Sequence, residues 1–258
     1  MKVLIRNNKV ILADGQAIKW QSGGDTPLKV LTRNNKLLLA DGKALRNLKL
    51  PTTYAELPYL VATDASKAWI DLGIPYQNGC KVEYKATLKG IGFLFGVFYT
   101  TQRCRGYLNP TEAVFNIGTD STNTLYPTIT GLTTGTVYTV NITANPKTAN
   151  ATITVNGQTI TNNGAREWFT WDSSPHNIYL FAANRTDTDT RSWGTRIIHY
   201  FKYWDVNGNL LLDLIPVERK SDGTLGMYNQ ANGRFLTNIS TGTFYKEIPT
   251  SSDEGIDD

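Results

Sequence analysis

Cysteine is nearly missing from this chain, with only Cys80 and Cys104 in 258 residues. That excludes a disulfide-built scaffold, and neither residue sits in a CxxC pair; the two thiols either join each other or stay reduced. Histidine is equally scarce. His176 and His199 stand alone, with no HExxH or Cys/His cluster, so zinc has no ligand set to draw on. Charge is thin as well: Asp, Glu, Lys and Arg make up 19% of the residues, and the formal net charge of +4 is not gathered into a basic run. A nucleic-acid surface that tracks phosphates needs such a patch, so none is expected. No apolar run approaches the length of a membrane span, and the opening MKVLIRNNKV has neither an apolar h-region nor a cleavage site. Neither membrane insertion nor export by a standard signal is therefore expected. GxSxG, a Ser/His/Asp order and a phosphate loop are also missing, as is any long stretch of capped helical periodicity.

What is present points to strands. With few charges, the surface must rely on Thr, Asn, Ser and Gly, and 13 Tyr, 6 Trp and 9 Phe suit pleated surfaces and packed cores. Residues 2–18, KVLIRNNKVILADGQAI, return at an offset of 27 as residues 29–45, KVLTRNNKLLLADGKAL, with twelve of seventeen positions identical. Each copy reads as a three-stranded meander turning at Asn-Asn and Asp-Gly. Seventeen residues cannot bury an apolar face alone, so the copies must stack on one another, on a partner, or on the rest of the chain. A flexible stretch, 21–27, separates them, and 49–53 leads onward.

From 54 to 246 only strands and turns are evident. Val82, Tyr84 and Ala86 alternate with Glu83, Lys85 and Thr87, the period of a half-buried strand. Residues 93–99 are apolar on both faces, as in a central strand, and 152–160 form a hairpin around Asn156-Gly157. So many strands with short turns predict an all-β, antiparallel jelly-roll β-sandwich behind the hairpin repeats of 1–50. The last stretch, 247–258, carries Asp253, Glu254, Asp257 and Asp258 and reads as a solvated acidic tail.

The two ends of this region also carry recognisable phrases. ELPYLVATDASKAWIDLGIP (56–75), IYLFAAN (178–184), RIIHYFKYW (196–204), LDLIPVERKSDG (212–223) and GMYN (226–229) follow one another in order. Together they resemble the concanavalin A-like (laminin G-like) jelly-roll domains of bacteriophage fibre, tail and head-decoration proteins, over roughly 54–246. Residues 105–175 match only as generic strands. The resemblance implies a virion protein, made in the host bacterial cytoplasm and displayed on the phage particle, joined to other virion proteins through its N-terminal repeats. By analogy with fibres it implies a homo-trimer, with weak contact to bacterial surface glycans. A stand-alone carbohydrate-binding lectin is the alternative.

A jelly roll also hosts glycosidases, which need paired carboxylates; retaining enzymes hold them about 5–5.5 Å apart. Glu167 and Asp172 are five residues apart, which places them on opposite faces of an extended strand. Asp213, Glu218 and Asp222 scatter around a turn. No catalytic residue and no cofactor are expected, and the chain reads as non-enzymatic. The ligand-binding candidates are Trp168, Trp171, Arg191 and Trp193, flat rings beside polar groups, although Trp168 or Trp171 equally suits a core position. Asp187 and Asp189 are oxygen ligands in one loop and the only calcium candidates; a solvated loop explains them as well.

Overall fold

The structure is a computed structural model that describes residues 3–6, 9–12, 17–19, 31–33, 36–38, 44–45, 50–75, 79–99, 102–118, 123–165, 176–186, 189–191 and 194–248. The chain divides into two compact units, residues 1–49 and 50–258. The first contains two three-stranded antiparallel meanders. One is built from β1 (Val3–Arg6), β2 (Lys9–Leu12) and β3 (Ala17–Lys19); the other from β4 (Leu31–Arg33), β5 (Lys36–Leu38) and β6 (Ala44–Leu45). Arg6 pairs with Lys9 and Arg33 with Lys36, the residues flanking each Asn-Asn dipeptide. The two copies thus fold alike, as their shared sequence predicts.

The second unit is a sandwich of two sheets. Its ten-stranded sheet runs β18 (Gln158–Asn163), β17 (Asn150–Val155), β16 (Val137–Asn145), β10 (Cys80–Thr87), β22 (Arg196–Trp204), β23 (Leu210–Arg219), β24 (Leu225–Asn229), β25 (Arg234–Thr237). β7 (Tyr54–Glu56) joins it on β23 and β8 (Leu60–Ala62) on β22. The nine-stranded sheet runs β14 (Thr124–Leu125), β13 (Glu112–Gly118), β12 (Gln102–Asn109), β11 (Gly92–Tyr99), β19 (Asn177–Leu180), β9 (Ile70–Pro75). β15 (Thr128–Ile129) adds to β13, and β20 (Ala183–Thr186) lies between β11 and β21 (Asp189–Arg191). The opening strands β7 and β8 thus lie against the late strands β23 and β22, and a further bridge ties Val61 to Tyr245. The described strands form an all-β, antiparallel jelly-roll sandwich with one parallel contact, β11 to β20.

Strand alternation builds the core. On β10, Cys80, Val82, Tyr84 and Ala86 are buried while Lys81, Glu83, Lys85 and Thr87 face outward. Residues 93–99 lie in a central strand, paired with β12 on one side and with β19 and β20 on the other. Asn156 and Gly157 both take positive φ, 50° and 82°, the conformation that a tight two-residue hairpin demands. The sheets meet through an aromatic cluster. Phe95 sits 5.9 Å from Tyr84 and 5.3 Å from Phe201, ring centre to ring centre. Cys80 and Cys104 are both buried and both free.

The Tyr84 hydroxyl is buried in this cluster without a hydrogen-bond partner, and burial raises its pKa far above the usual phenol value. A folded-state pKa above the unfolded value means that the neutral phenol's contribution is complete below about pH 10 and is lost as pH rises beyond it. Tyr84→Phe is expected to raise stability at neutral pH by roughly 0.5–1.5 kcal/mol, since it removes an unpaired buried polar group. It should also reduce the loss of stability above about pH 10. Urea unfolding at neutral and alkaline pH checks both, and a destabilised variant at neutral pH would contradict them.

Candidate functional site

The hairpin of β11 and β12 carries a cluster of polar and aromatic side chains on its outer face. Its register opposes Phe93 to Tyr107, Gly96 to Arg105 and Phe98 to Arg103, with a shift between Phe93 and Phe95. That extra residue puts Leu94, Phe95 and Val97 in the core, while Phe98 is half-buried on the outer face and Phe93, on the same face, is only 5% exposed. On β12, Cys104 and Leu108 point inward, and Arg103, Arg105, Tyr107 and Asn109 alternate with them on the outside.

Gly96 makes room for what lies across from it. Its φ is +147°, and a Cβ there would fall onto the Cys104 carbonyl oxygen and the Arg105 backbone. Arg105 lies close to three rings. Its guanidinium carbon is 4.0 Å from the Phe98 centroid, 5.0 Å from Phe93 and 5.8 Å from Tyr107. Its Nε donates to Asn116 Oδ1 at 2.9 Å, and Asn116, on the neighbouring β13, is fully buried. Arg103 approaches the same Phe98 ring at 4.9 Å and donates from Nη1 to the Tyr126 hydroxyl at 3.4 Å. Asn109 Nδ2 donates to Glu112 at 3.0 Å. Burial raises the Tyr107 phenol's pKa, opposed by the nearby Asn116 amide and by the Arg105 charge.

These side chains surround an open hollow of about 340 Å³ lined by Ile91, Gly92, Phe93, Phe98, Arg105, Tyr107 and Asn109. Flat apolar rings beside a fixed guanidinium, a phenol and an amide are what stacking on a sugar ring and holding its hydroxyls require. The arrangement offers binding groups; none of its side chains is a nucleophile with an attendant base.

The sequence candidates lie elsewhere. Trp168, Trp171, Asp187 and Trp193 fall outside the described residues. Asp189 and Arg191 belong to β21, where Arg191 pairs with Ala183, but their side chains fall outside them too. Glu167 and Asp172 do as well. The other carboxylates considered are engaged in structural contacts. Asp213, only 2% exposed, meets Lys202 at 3.7 Å; Glu218 pairs with Lys246 at 3.2 Å; Asp222 takes a bidentate grip from Arg219. His199 is held between the Thr87 hydroxyl and the Pro58 carbonyl, and burial lowers its pKa. Among the described residues no cluster of three or more His, Cys, Asp or Glu is placed to hold a metal ion. The Arg105 hollow was missed from sequence. Its available signal was the alternating Arg103, Arg105, Tyr107, Asn109 of one strand, facing an apolar strand interrupted by Gly96.

No protein-family model matches the chain, and no curated protein matches it in sequence. Solved structures with a similar fold include domains LG4-5 of the mouse laminin alpha1 chain, at 12% identity and a TM-score of 0.45, covering 69% of this chain and 50% of that one. A putative carbohydrate binding protein from Bacteroides ovatus gives 12% identity and a TM-score of 0.48, covering 74% of this chain and 60% of that one. The CBM40 of the Ruminococcus gnavus IT-sialidase gives 13% identity and a TM-score of 0.41, covering 56% of this chain and 89% of that one. This chain therefore spans about half the length of the laminin fragment.

Proposed function

We propose that the sandwich is a non-catalytic, lectin-like module that binds glycans in the Arg105 hollow. The observation that carries this reading is a guanidinium fixed among Phe93, Phe98 and Tyr107 on an outward sheet face, bordering an open hollow. A hydrogen bond to a charged group contributes about 1.5–3 kcal/mol. Arg105→Ala is accordingly expected to weaken glycan binding by roughly tenfold to a hundredfold. Calorimetric titration of the full chain with bacterial surface oligosaccharides, beside Arg105→Ala, tests this; binding that survives the substitution unchanged moves the site elsewhere.

The finer reading places this module on a bacteriophage particle, as a fibre or decoration protein attached through its N-terminal repeats. It is supported by the sequence phrases at both ends of the sandwich and by two meanders too short to bury a face alone. Several copies on one particle would raise apparent affinity by about 10²–10⁴ over a single weak site. Light scattering of the full chain, with co-sedimentation on phage particles, tests it. A multimer that sediments with particles supports the virion reading. A monomer that binds glycans but not particles leaves the stand-alone lectin.

A further inference from the structure

Resting on the reading of the N-terminal repeats as attachment modules, we infer that each meander takes an extended, acidic strand of a partner protein onto its edge. The sequence has no basic run, yet the register assembles one. In the first meander Arg6 on β1 pairs with Lys9 on β2, and Lys9 pairs in turn with Lys19 on β3. Residues directly opposite in an antiparallel ladder share a face, so three cations from three strands form one row, stepped by the strand separation of about 4.8 Å. The second meander repeats the start of it: Arg33 on β4 pairs with Lys36 on β5, and Arg46 follows Lys19 in the sequence at the same offset of 27. Like charges placed directly opposite oppose pairing, so such a row is completed by an anion beside it. The acids of the unit are too few to do this. Residues 1–49 carry ten Lys and Arg against Asp14, Asp25 and Asp41 and no Glu, so seven cations remain even if every acid is paired. Residues 50–258 carry sixteen Lys and Arg against nineteen acids, and the net positive charge of the chain therefore resides wholly in the repeats.

The neighbouring register positions say what kind of anion fits. On the face of the row, the next positions along the strands are Leu4, Ile11 and Ala17, matched in the second copy by Leu31, Leu38 and Ala44. Between them, on the opposite face, stand Ile5, Val10 and Ile18. A chain of phosphates would draw on the cations alone. A polypeptide strand with an acid at the row and apolar residues at the adjoining positions complements cations and apolar positions together. The topology provides the place for it. Among the described residues each meander is a three-stranded sheet whose outer strands, β1 and β3 or β4 and β6, pair on one side only. An unpaired strand edge is a template for a further strand, and an acid on that strand directly opposite Arg6 or Lys19 extends the row as an opposite-charge pair.

The test uses the full chain and short synthetic peptides that alternate glutamate with valine. Beside them stand the same peptides with glutamine or lysine in place of glutamate, duplex DNA, and vesicles of phosphatidylglycerol. The glutamate peptide is expected to bind about tenfold or more tightly than the glutamine peptide, with affinity falling as salt is raised. Arg6→Glu combined with Arg33→Glu changes the same edge position in both copies and should turn the preference toward the lysine peptide, a reversal that lost folding cannot mimic. A glutamate peptide methylated on alternate backbone nitrogens keeps its charge but loses its ladder donors, and should not bind. DNA or vesicles that compete as well as the glutamate peptide, or a methylated peptide that binds unchanged, overturn the acidic strand. A chain that sediments with phage particles yet ignores the glutamate peptide also overturns it and leaves the attachment reading intact. Peptide binding without sedimentation supports the acidic strand and removes the virion as its source.

Discussion

Gly96→Val is expected to lower the stability of the sandwich by about 3–5 kcal/mol, from backbone strain and overpacking together. The residue sits in the middle of central strand β11 at a φ of +147°, where a β-branched side chain is strained whatever the space. Space is lacking too, since the nearest atoms to a new Cβ include the Cys104 carbonyl and the Arg105 Cα, both backbone and unable to swing aside. Relief requires β11 and β12 to part, and their ladder is the centre of the nine-stranded sheet. In urea the unfolding midpoint should fall while the slope of the transition stays fixed, because the surface exposed on unfolding is unchanged. The valine would also stand where Arg105 now lies, so glycan binding should fall even in the fraction that folds. A midpoint within about 1 kcal/mol of the parent's stability would show that the hairpin yields more easily than its register implies.

That position also shows why the site was harder to read from sequence than the fold. The N-terminal repeats were legible because identity at a fixed offset needs no tertiary knowledge, and β10 because a strand with one wet face alternates strictly. The Asn156-Gly157 hairpin was legible because few dipeptides tolerate two positive φ angles in succession. Sheet order was not. β10 lies between β16 and β22, partners about 60 and 115 residues away, and nothing local in any of these strands names the others. The Arg105 hollow depends on such non-local facts: a register shift at Phe93 and Phe95, a glycine across the ladder, and an asparagine on the next strand. Sequence reasoning sought tryptophans in loops, whereas the organised rings are two phenylalanines and a tyrosine on strands. Asp213 illustrates the converse. It stood among scattered acids in the sequence, yet it is a buried partner of Lys202, and only the pairing of β22 with β23 places the two opposite each other.

The native protein is expected to leave both cysteines unmodified by an aromatic disulfide reagent on the timescale that labels the urea-unfolded chain, with rates lower by about 10³-fold or more. Access is the first cause. Cys80 is 3% exposed and Cys104 fully buried, on strands of opposite sheets that share one core, so labelling awaits an opening of the sandwich. Protonation is the second. Burial raises the pKa of the Cys104 thiol, and the adjacent Cys80 thiol raises it further, so the reactive thiolate is scarce even at mildly alkaline pH. The sign of the linkage follows: a folded-state pKa above the unfolded value of about 8.5 contributes stability below that pH and loses it as pH rises. Raising the pH from about 7 to about 9 should therefore speed labelling in urea strongly, by increasing the thiolate fraction. In the native state labelling should rise only as far as the sandwich itself is weakened. Measuring thiolate release with and without urea at both pH values separates the cases. Two equivalents released only in urea match the buried free pair, prompt native release contradicts the burial, and no release in either condition means that the neighbouring sulfurs have joined across the core.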